Sequence, residues 1–273
     1  MTLYLWLVPV GVLIGAFGTL IGAGGGFVLT PMLLLVYPTE SPEVITSISL
    51  AVVFLNALSG SVAYARMQRI DYRSGVLFAL ATIPGAVVGA LTTTYMPRQA
   101  FDLVFGLCMI MAAIFLLIRG ATVSKPTAQH QTRYHVTRYI IDTDGIQHTF
   151  AYNRWVGIGL SMAVGYLSSL LGIGGGIIHV PAMAHVLHFP VHIATATSHF
   201  TLTVMALTGT LVHILTGSFH HGVRRTIALG VGVLVGAQFG ARFSHRVQGQ
   251  WILRSLAVAL GLVGIRILVL AFV

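Results

Sequence analysis

The chain has 273 residues, of which 56% are hydrophobic and 8% are charged, and its formal net charge is +9. A soluble domain usually has about a quarter of its residues charged, so we expect lipid, not water, to surround most of this chain. The positive charge does not indicate nucleic-acid binding, because the basic residues lie mostly between apolar runs, where they set membrane orientation.

Eight apolar runs, most of them long enough to cross a bilayer as a helix, form two groups of four. The runs are 3–37, 45–65, 73–95, 100–118, 154–188, 194–216, 222–243 and 250–272. We therefore predict an all-α polytopic membrane protein with two homologous four-run repeats. The predicted units are a first transmembrane repeat at 1–119, a polar extramembrane insert at 120–153 and a second transmembrane repeat at 154–273.

The first run of each half is too long for one crossing and contains a glycine cluster. Leu20–Pro31 reads LIGAGGGFVLTP, and Leu170–Pro181 reads LLGIGGGIIHVP. Close helix packing is one interpretation, but three adjacent glycines cover several faces of a helix and favour a break. Each long run is predicted to be a helix, a break and a short helix of about 14 residues, too short to span comfortably.

The similarity between the halves extends beyond the glycines. Ser49–Gly60 (SLAVVFLNALSG) matches Ser198–Gly209 (SHFTLTVMALTG), and Pro84–Ala90 (PGAVVGA) matches Val235–Ala241 (VGAQFGA). Three matching segments in the same order indicate an internal duplication. The G-xxx-G pairs in the last two segments are interpreted as contacts between closely packed helices.

The insert at 120–153 contains an Asp-Gly turn signal between partly alternating β-branched and aromatic stretches. That pattern predicts a short β-hairpin outside the membrane. A disordered linker is equally compatible with the composition.

The basic residues leave two orientations of the repeats open. With one net crossing per long run, all the main basic regions share one side and the repeats are parallel, which the positive-inside rule favours. With two crossings per long run, each half has five crossings and the repeats are inverted. Charge counting favours the parallel arrangement without excluding the inverted one.

A helix broken inside a membrane has free backbone N–H groups and a partial positive charge at its new N-terminus. Two such breaks could face each other near the midplane and bind an anion there. The predicted substrate-binding glycines are Gly22, Gly24, Gly25, Gly26, Gly172, Gly174, Gly175 and Gly176. All six carboxylates fall in loops, at run edges or in the insert, which disfavours a cation carrier.

Polar side chains within the runs could complete the shell of an oxyanion. Ser49, Asn56, Ser198 and His199 are predicted to bind substrate, although hydrogen bonding between helices is an equal alternative. Histidine titrates near neutral pH, so His179 and His199 are candidates for coupling or anion contact. A buried histidine satisfied by a neighbour is the other interpretation for each.

The paired GxGGG…P elements resemble those of the TauE/SafE family of sulfite and organosulfonate exporters. The matching residues are Gly22, Gly24, Gly25, Gly26 and Pro31 in one half, and Gly172, Gly174, Gly175, Gly176 and Pro181 in the other. The segments TSISL and TATSH look like the family's Thr-Ser element, although His199 stands where its repeat partner has Leu50. The resemblance implies a multi-pass carrier of small sulfur-containing anions in the plasma membrane, the inner membrane of a bacterium or archaeon.

The hypothesis is therefore a secondary transporter that exports sulfite or an organosulfonate. Its partners would be the small anion and the lipid bilayer, and a homo-oligomer stays open. No cofactor is expected, since the sequence has no P-loop and no Rossmann context. A transition-metal permease that uses His185, His188 and His192 is the alternative, although no metal site is predicted. An enzyme ranks last, because no nucleophile–base pair or carboxylate dyad is found.

Overall fold

The computed structural model describes residues 6–119, 135–244 and 249–272. The helices of the first half are α1 (Leu7–Ile21), α2 (Gly26–Val36), α3 (Pro42–Arg66), α4 (Tyr72–Thr94) and α5 (Arg98–Arg119). A hairpin of β1 (His135–Ile141) and β2 (Gln147–Asn153) follows. The helices of the second half are α6 (Arg154–Leu171), α7 (Gly176–His185), α8 (Val191–Leu215), α9 (Val223–Ser244) and α10 (Gly249–Phe272), with a 3₁₀ turn at Ser218–His221.

Five of the described helices are long and apolar enough to cross a membrane: α3, α4, the Arg98–Phe115 part of α5, α8 and α9. Local signals start several of the helices. The side chains of Ser41, Asp71 and Asn153 accept hydrogen bonds from N–H groups of the first turns of α3, α4 and α6. The prediction of an all-α polytopic membrane protein is confirmed.

The two halves interlock, because the first helix of each half packs against a helix of the other half. Helix α1 packs against α9, and α6 packs against α4. Glycines make this possible: a Cβ added at Gly85 would lie 2.8 Å from the Tyr166 nitrogen, and one at Gly236 would lie 2.9 Å from the Ala16 nitrogen. The interpretation of the G-xxx-G pairs as close packing sites is confirmed.

The order of these contacts gives the helix directions. Contacts that join Val12 to Gly232 and Ala16 to Gly236 show that α1 and α9 run the same way. Contacts from Leu55 to Gly230 show that α3 lies along α9. The hydroxyl of Ser59, four residues after Leu55, bonds the carbonyl oxygen of Leu234, so α3 also runs parallel to α9.

Helices α3 and α8 run in opposite directions, since Leu50 meets Gly209 while Gly60 meets His199. Helices α5 and α10 are likewise antiparallel, with contacts from Gly106 to Leu268 and from Ala113 to Gly261. Each helix of one half therefore opposes its counterpart in the other. The two halves are inverted relative to each other, and the parallel arrangement that charge counting favoured is wrong.

The short helix α2 explains why charge counting failed. Helices α1 and α3 run in the same direction, so α2 between them has to run in the opposite direction. Its start lies beside α1, where a Cβ on Gly25 would be 3.0 Å from the carbonyl oxygen of Ile14. Its end lies near the start of α5, where Arg98 donates to the carbonyl oxygen of Leu34 at 3.1 Å. Such a re-entrant helix adds one more pass of the chain through the bundle, and the connection between α1 and α2 contains no charged residue.

The hairpin covers the side of the bundle where α3 ends and α4, α6 and α8 begin, called here the hairpin side. Strands β1 and β2 are antiparallel, with Arg138 opposite Phe150, and the turn contains Gly145 at φ 76°. Phe150 and Tyr152 pack against Phe189, with ring centroids 4.3 and 5.1 Å away. The Asp-Gly turn signal thus corresponds to a hairpin, while residues 120–134 of the insert lie outside the described residues.

Candidate functional site

Both glycine clusters interrupt the helices that contain them. Helix α1 ends at Ile21 and α2 begins at Gly26, while α6 ends at Leu171 and α7 begins at Gly176. The interrupting backbone has positive φ angles, between 57° and 83°, that L side chains rarely adopt. These angles occur at Gly22, Gly24, Gly25, Gly172, Gly174 and Gly175.

The two breaks touch each other at the interface between the two halves of the chain. A Cβ on Gly26 would lie 2.6 Å from the carbonyl oxygen of Ile173, and a Cβ on Gly176 would lie 2.6 Å from the Cα of Ala23. Both clusters are buried. The predicted glycines are therefore brought together, and close approach of two backbones is one physical reason for their presence.

Several backbone N–H groups at the breaks donate no hydrogen bond to a backbone carbonyl oxygen of the described residues. They belong to Gly25, Gly26 and Phe27 at the start of α2, and to Gly174, Gly175 and Ile177 at the start of α7. Buried amides without partners are costly in a membrane. They are also the donors that a small anion requires.

A small buried cavity of about 10 Å³ lies beside the second break, room for about one water molecule. Gly175, Gly176, His179, Ser198 and Thr201 contribute to its wall. The Ser198 hydroxyl has no hydrogen-bond partner among the described residues. Predicted site residues from two helices, α7 and α8, are thus placed around one cavity.

His179 is held by a neighbour from a third helix. Its Nε2 lies 3.2 Å from the hydroxyl of Ser161 on α6. Its ring lies edge-to-face with Phe78, with centroids 5.9 Å apart. Sequence reasoning missed Ser161, because a serine one turn from other small residues on α6 gives no distinct signal.

The first half places a different polar cluster near its break. The Thr19 hydroxyl lies 3.2 Å from both the Asn56 Oδ1 and the His199 Nε2 atoms. Tyr64 donates its hydroxyl to the carbonyl oxygen of Thr19 at 2.7 Å. Asn56 Nδ2 and His199 Nδ1 have no hydrogen-bond partner among the described residues. The predicted residues Asn56 and His199 are therefore brought together, and Thr19 and Tyr64 were missed.

Ser49 differs from its repeat partner Ser198. Its hydroxyl donates to the carbonyl oxygen of Gly172 at 2.6 Å, and Thr30 donates to the same oxygen at 2.8 Å. This pair fastens the first half to the break of the second half. Thr30 was missed because its repeat position holds Val180, so the duplication gave no signal for it.

The centre of the bundle contains no carboxylate. Glu40, Glu43 and Asp102 lie at the side opposite the hairpin, and Asp71, Asp142 and Asp144 lie at the hairpin side; these are all six carboxylates of the chain. Five of them are paired with arginines: Asp102 with Arg98, Glu40 with Arg225, Asp71 with Arg138, and Asp142 and Asp144 with Arg69. The central hydrogen-bond donors therefore face no fixed negative charge.

The histidines of the metal alternative form no cluster in the part of the chain that the structure describes. No three His, Cys, Asp or Glu side chains there are grouped as metal ligands. His188, one of the three, lies in the turn between α7 and α8 with φ 58°.

Inverted five-helix halves, with broken re-entrant helices that meet at a polar centre without carboxylates, define a polytopic membrane protein with the architecture of a transporter. The model of the family described as Sulfite exporter TauE/SafE matches residues 7–267. The chain therefore belongs to the TauE/SafE family of membrane transporters.

The relatives have transporter names of a general kind. The chain is 31% identical over 268 residues to the "Probable membrane transporter protein YunE" of Bacillus subtilis (strain 168), with 96% of each chain covered. It is 30% identical over 241 residues to a "Probable membrane transporter protein" of Xylella fastidiosa (strain 9a5c), which covers 85% of this chain and 84% of that one. It is 21% identical over 271 residues to the "Probable membrane transporter protein MJ0441" of Methanocaldococcus jannaschii, with 95% and 93% covered. No solved structure matches the chain.

Proposed function

We propose that this protein is a secondary transporter that exports a small sulfur-containing oxyanion, sulfite or an organosulfonate, across the plasma membrane. The observation that carries the proposal is the meeting of two helix breaks whose amides have no partners, in a centre without carboxylates. Donors without acceptors attract a ligand rich in acceptors, and an oxyanion is such a ligand.

The hydroxyl of Ser198 and the side-chain nitrogen of Asn56 supply further donors. Each break contributes the positive end of a helix dipole. A tetrahedral or pyramidal anion could accept from the amides of one break and from these side chains together. His179 and His199 would contact the anion or accept a proton that accompanies it.

The cavity of about 10 Å³ is smaller than sulfite, so the proposed transport requires the site to widen. Transport then requires that the inverted halves move against each other and open the breaks to either side in turn. Export of an anion from a negative interior is favourable, so the membrane potential could drive it without a cofactor.

The charges favour a cytoplasmic location for the hairpin side. Seven arginines lie at helix ends, in loops or in the hairpin on that side of the described chain, against three on the opposite side. The seven are Arg66, Arg69, Arg73, Arg119, Arg138, Arg154 and Arg242, and the three are Arg98, Arg224 and Arg225. By the positive-inside rule α1 would begin, and α10 end, on the outer side.

Flux of labelled sulfite from proteoliposomes tests the proposal. Ser198→Ala removes an unpartnered hydroxyl from the cavity wall, and a lost hydrogen bond to a charged ligand costs about 1.5–3 kcal/mol. We expect the kcat/KM for sulfite to fall at least about tenfold. Competition by taurine and by sulfate distinguishes an organosulfonate carrier from a general anion carrier.

Ser47→Ala is the matched control, because this buried hydroxyl on α3 donates to the carbonyl oxygen of Val44 in its own helix at 2.8 Å. We expect less than a twofold change. Sulfite flux that is equal in wild type, Ser198→Ala and protein-free liposomes would reject the proposed function.

A further inference from the structure

Arg69 is a buried cation in the loop between α3 and α4 on the hairpin side. Its Nη2 lies 2.8 Å from Asp144 Oδ2, and its Nε lies 3.5 Å from Asp142 Oδ2. The side chain is only 6% exposed, and its Nη1 has no hydrogen-bond partner among the described residues. A buried guanidinium with an unused donor is costly for the fold alone.

The loop itself is strained. Gln68, the residue before Arg69, has φ 54°, a conformation that non-glycine residues seldom adopt. Such strain persists where the surrounding structure enforces it, often at functional positions. Here it turns the chain so that the Arg69 side chain lies under the hairpin.

Hydrogen bonds connect the loop to the helices that carry both groups of unpartnered donors. The N–H of Arg69 donates to the carbonyl oxygen of Tyr64 at 3.3 Å. Tyr64 in turn bonds Thr19, which lies between Asn56 and His199. On the other flank, the N–H of Asp71 donates to the hydroxyl of Thr197 at 3.0 Å, one residue before Ser198.

We propose that Arg69 recruits the oxyanion on the hairpin side, and that Asp142 and Asp144 occupy it as carboxylate substitutes for the substrate when the hairpin is docked. This inference rests on the proposed function. With the hairpin docked, one positive and two negative charges meet, and the entrance repels anions. When the hairpin leaves, Asp142, Asp144 and Arg138 leave with it, and the Arg69 guanidinium is freed of both carboxylates while Asp71 stays in the loop.

The hairpin is attached by a few polar contacts and by the packing of Phe150 and Tyr152 against Phe78 and Phe189, and its release has to separate both. The hydroxyl and the N–H of Thr143 both donate to the carbonyl oxygen of Met67 at 3.3 Å. A second ion pair joins Arg138 to Asp71 at 3.4 Å. The two strands bond each other along their whole length, so undocking breaks few internal bonds.

Charged thiol reagents measure the electrostatics of this entrance without any transport. In a Cys108→Ser background, Ser198→Cys places the chain's one thiol at the cavity. The anionic sulfonate reagent MTSES and the cationic reagent MTSET are compared by their rates of modification of purified protein in detergent. Removal of two negative charges by Asp142→Asn with Asp144→Asn should raise the MTSES:MTSET ratio about tenfold.

Adding Arg69→Gln to that double variant should lower the ratio about tenfold again. Arg66→Gln is the matched control, since Arg66 is exposed on the same side, and it should change the ratio less than twofold. An equal effect of Arg69→Gln and Arg66→Gln would overturn the proposal, as would a thiol that neither reagent reaches in the double variant.

Sulfite efflux separates this proposal from the proposed function. Asp142→Asn with Asp144→Asn should lower the KM for sulfite, and Arg69→Gln should raise it several-fold, with Arg69→Lys intermediate. A wild-type protein that moves no sulfite but shows the expected reagent ratios would reject sulfite as substrate and leave the role of Arg69 intact.

Discussion

The contact between the two helix breaks predicts that even one methyl group at Gly26 is not tolerated. A Cβ there would lie 2.6 Å from the carbonyl oxygen of Ile173, against an ordinary minimum of 3.4 Å, so the breaks would have to separate by about 0.8 Å. Gly26 has an ordinary helical conformation, so the effect of Gly26→Ala is steric and not a φ penalty. The opposing atoms are backbone and cannot turn aside, which places the cost near the upper end of the range for overpacking, about 3 kcal/mol.

Gly159→Ala is the matched control. It adds the same methyl group to α6 at a position where nothing lies within 4 Å. In the interior of a helix this change should stabilise by about 1 kcal/mol. The two variants are therefore expected to move stability in opposite directions.

Thermal unfolding in detergent, followed by tryptophan fluorescence, measures the difference. We expect the Tm of Gly26→Ala to fall by about 6–12 °C and that of Gly159→Ala to rise slightly. Sulfite flux should fall with Gly26→Ala even below its Tm, since the breaks can no longer close against each other. Equal Tm values for the two variants would refute the contact on which the site is built.

Two further results are expected. Thr30→Val removes the hydroxyl that donates to the carbonyl oxygen of Gly172 at 2.8 Å and should lower the unfolding free energy by about 1–2 kcal/mol, measured in the same thermal assay. Burial alone would raise the pKa of Asp142, but hydrogen bonds from Ile146 and His148 and the charge of Arg69 hold that pKa below its usual range. A carboxylate with a depressed pKa stabilises the docked hairpin above its unfolded pKa and loses that effect as the pH falls, so hairpin docking should be constant between about pH 5 and 8 and weaken below about pH 4. Hydrogen exchange in β1 and β2, corrected for the intrinsic pH dependence, checks this; loosening between pH 7 and 5.5 would contradict it.

The helix breaks could be predicted from the sequence because their cause is local. Three adjacent glycines weaken a helix wherever they occur, and a second copy of the cluster lies 150 residues later. The hairpin pattern around Gly145 depended on turn chemistry of the same local kind.

The orientation of the repeats could not be predicted, because it depends on where α2 goes after the break. A short apolar helix has the same composition whether it continues or returns, and it adds no charged loop to count. The bond from Ser49 to Gly172 was inaccessible for a related reason. Both partners were candidates, but a hydroxyl in one half and a carbonyl oxygen in the other meet only through the packing of the halves.

The exchange of first helices between the halves has a consequence for biogenesis. As the nascent chain enters the bilayer, α1 is inserted before its packing partner α9 has been synthesised. The α9 contact residue Gly232 follows Val8 by more than two hundred positions. Until then the row of glycines on α1 faces lipid without a partner, and α4 likewise waits for α6. A polypeptide that stops after residue 119 should therefore be degraded soon after insertion, whereas the two halves produced as separate polypeptides in one cell should rescue each other.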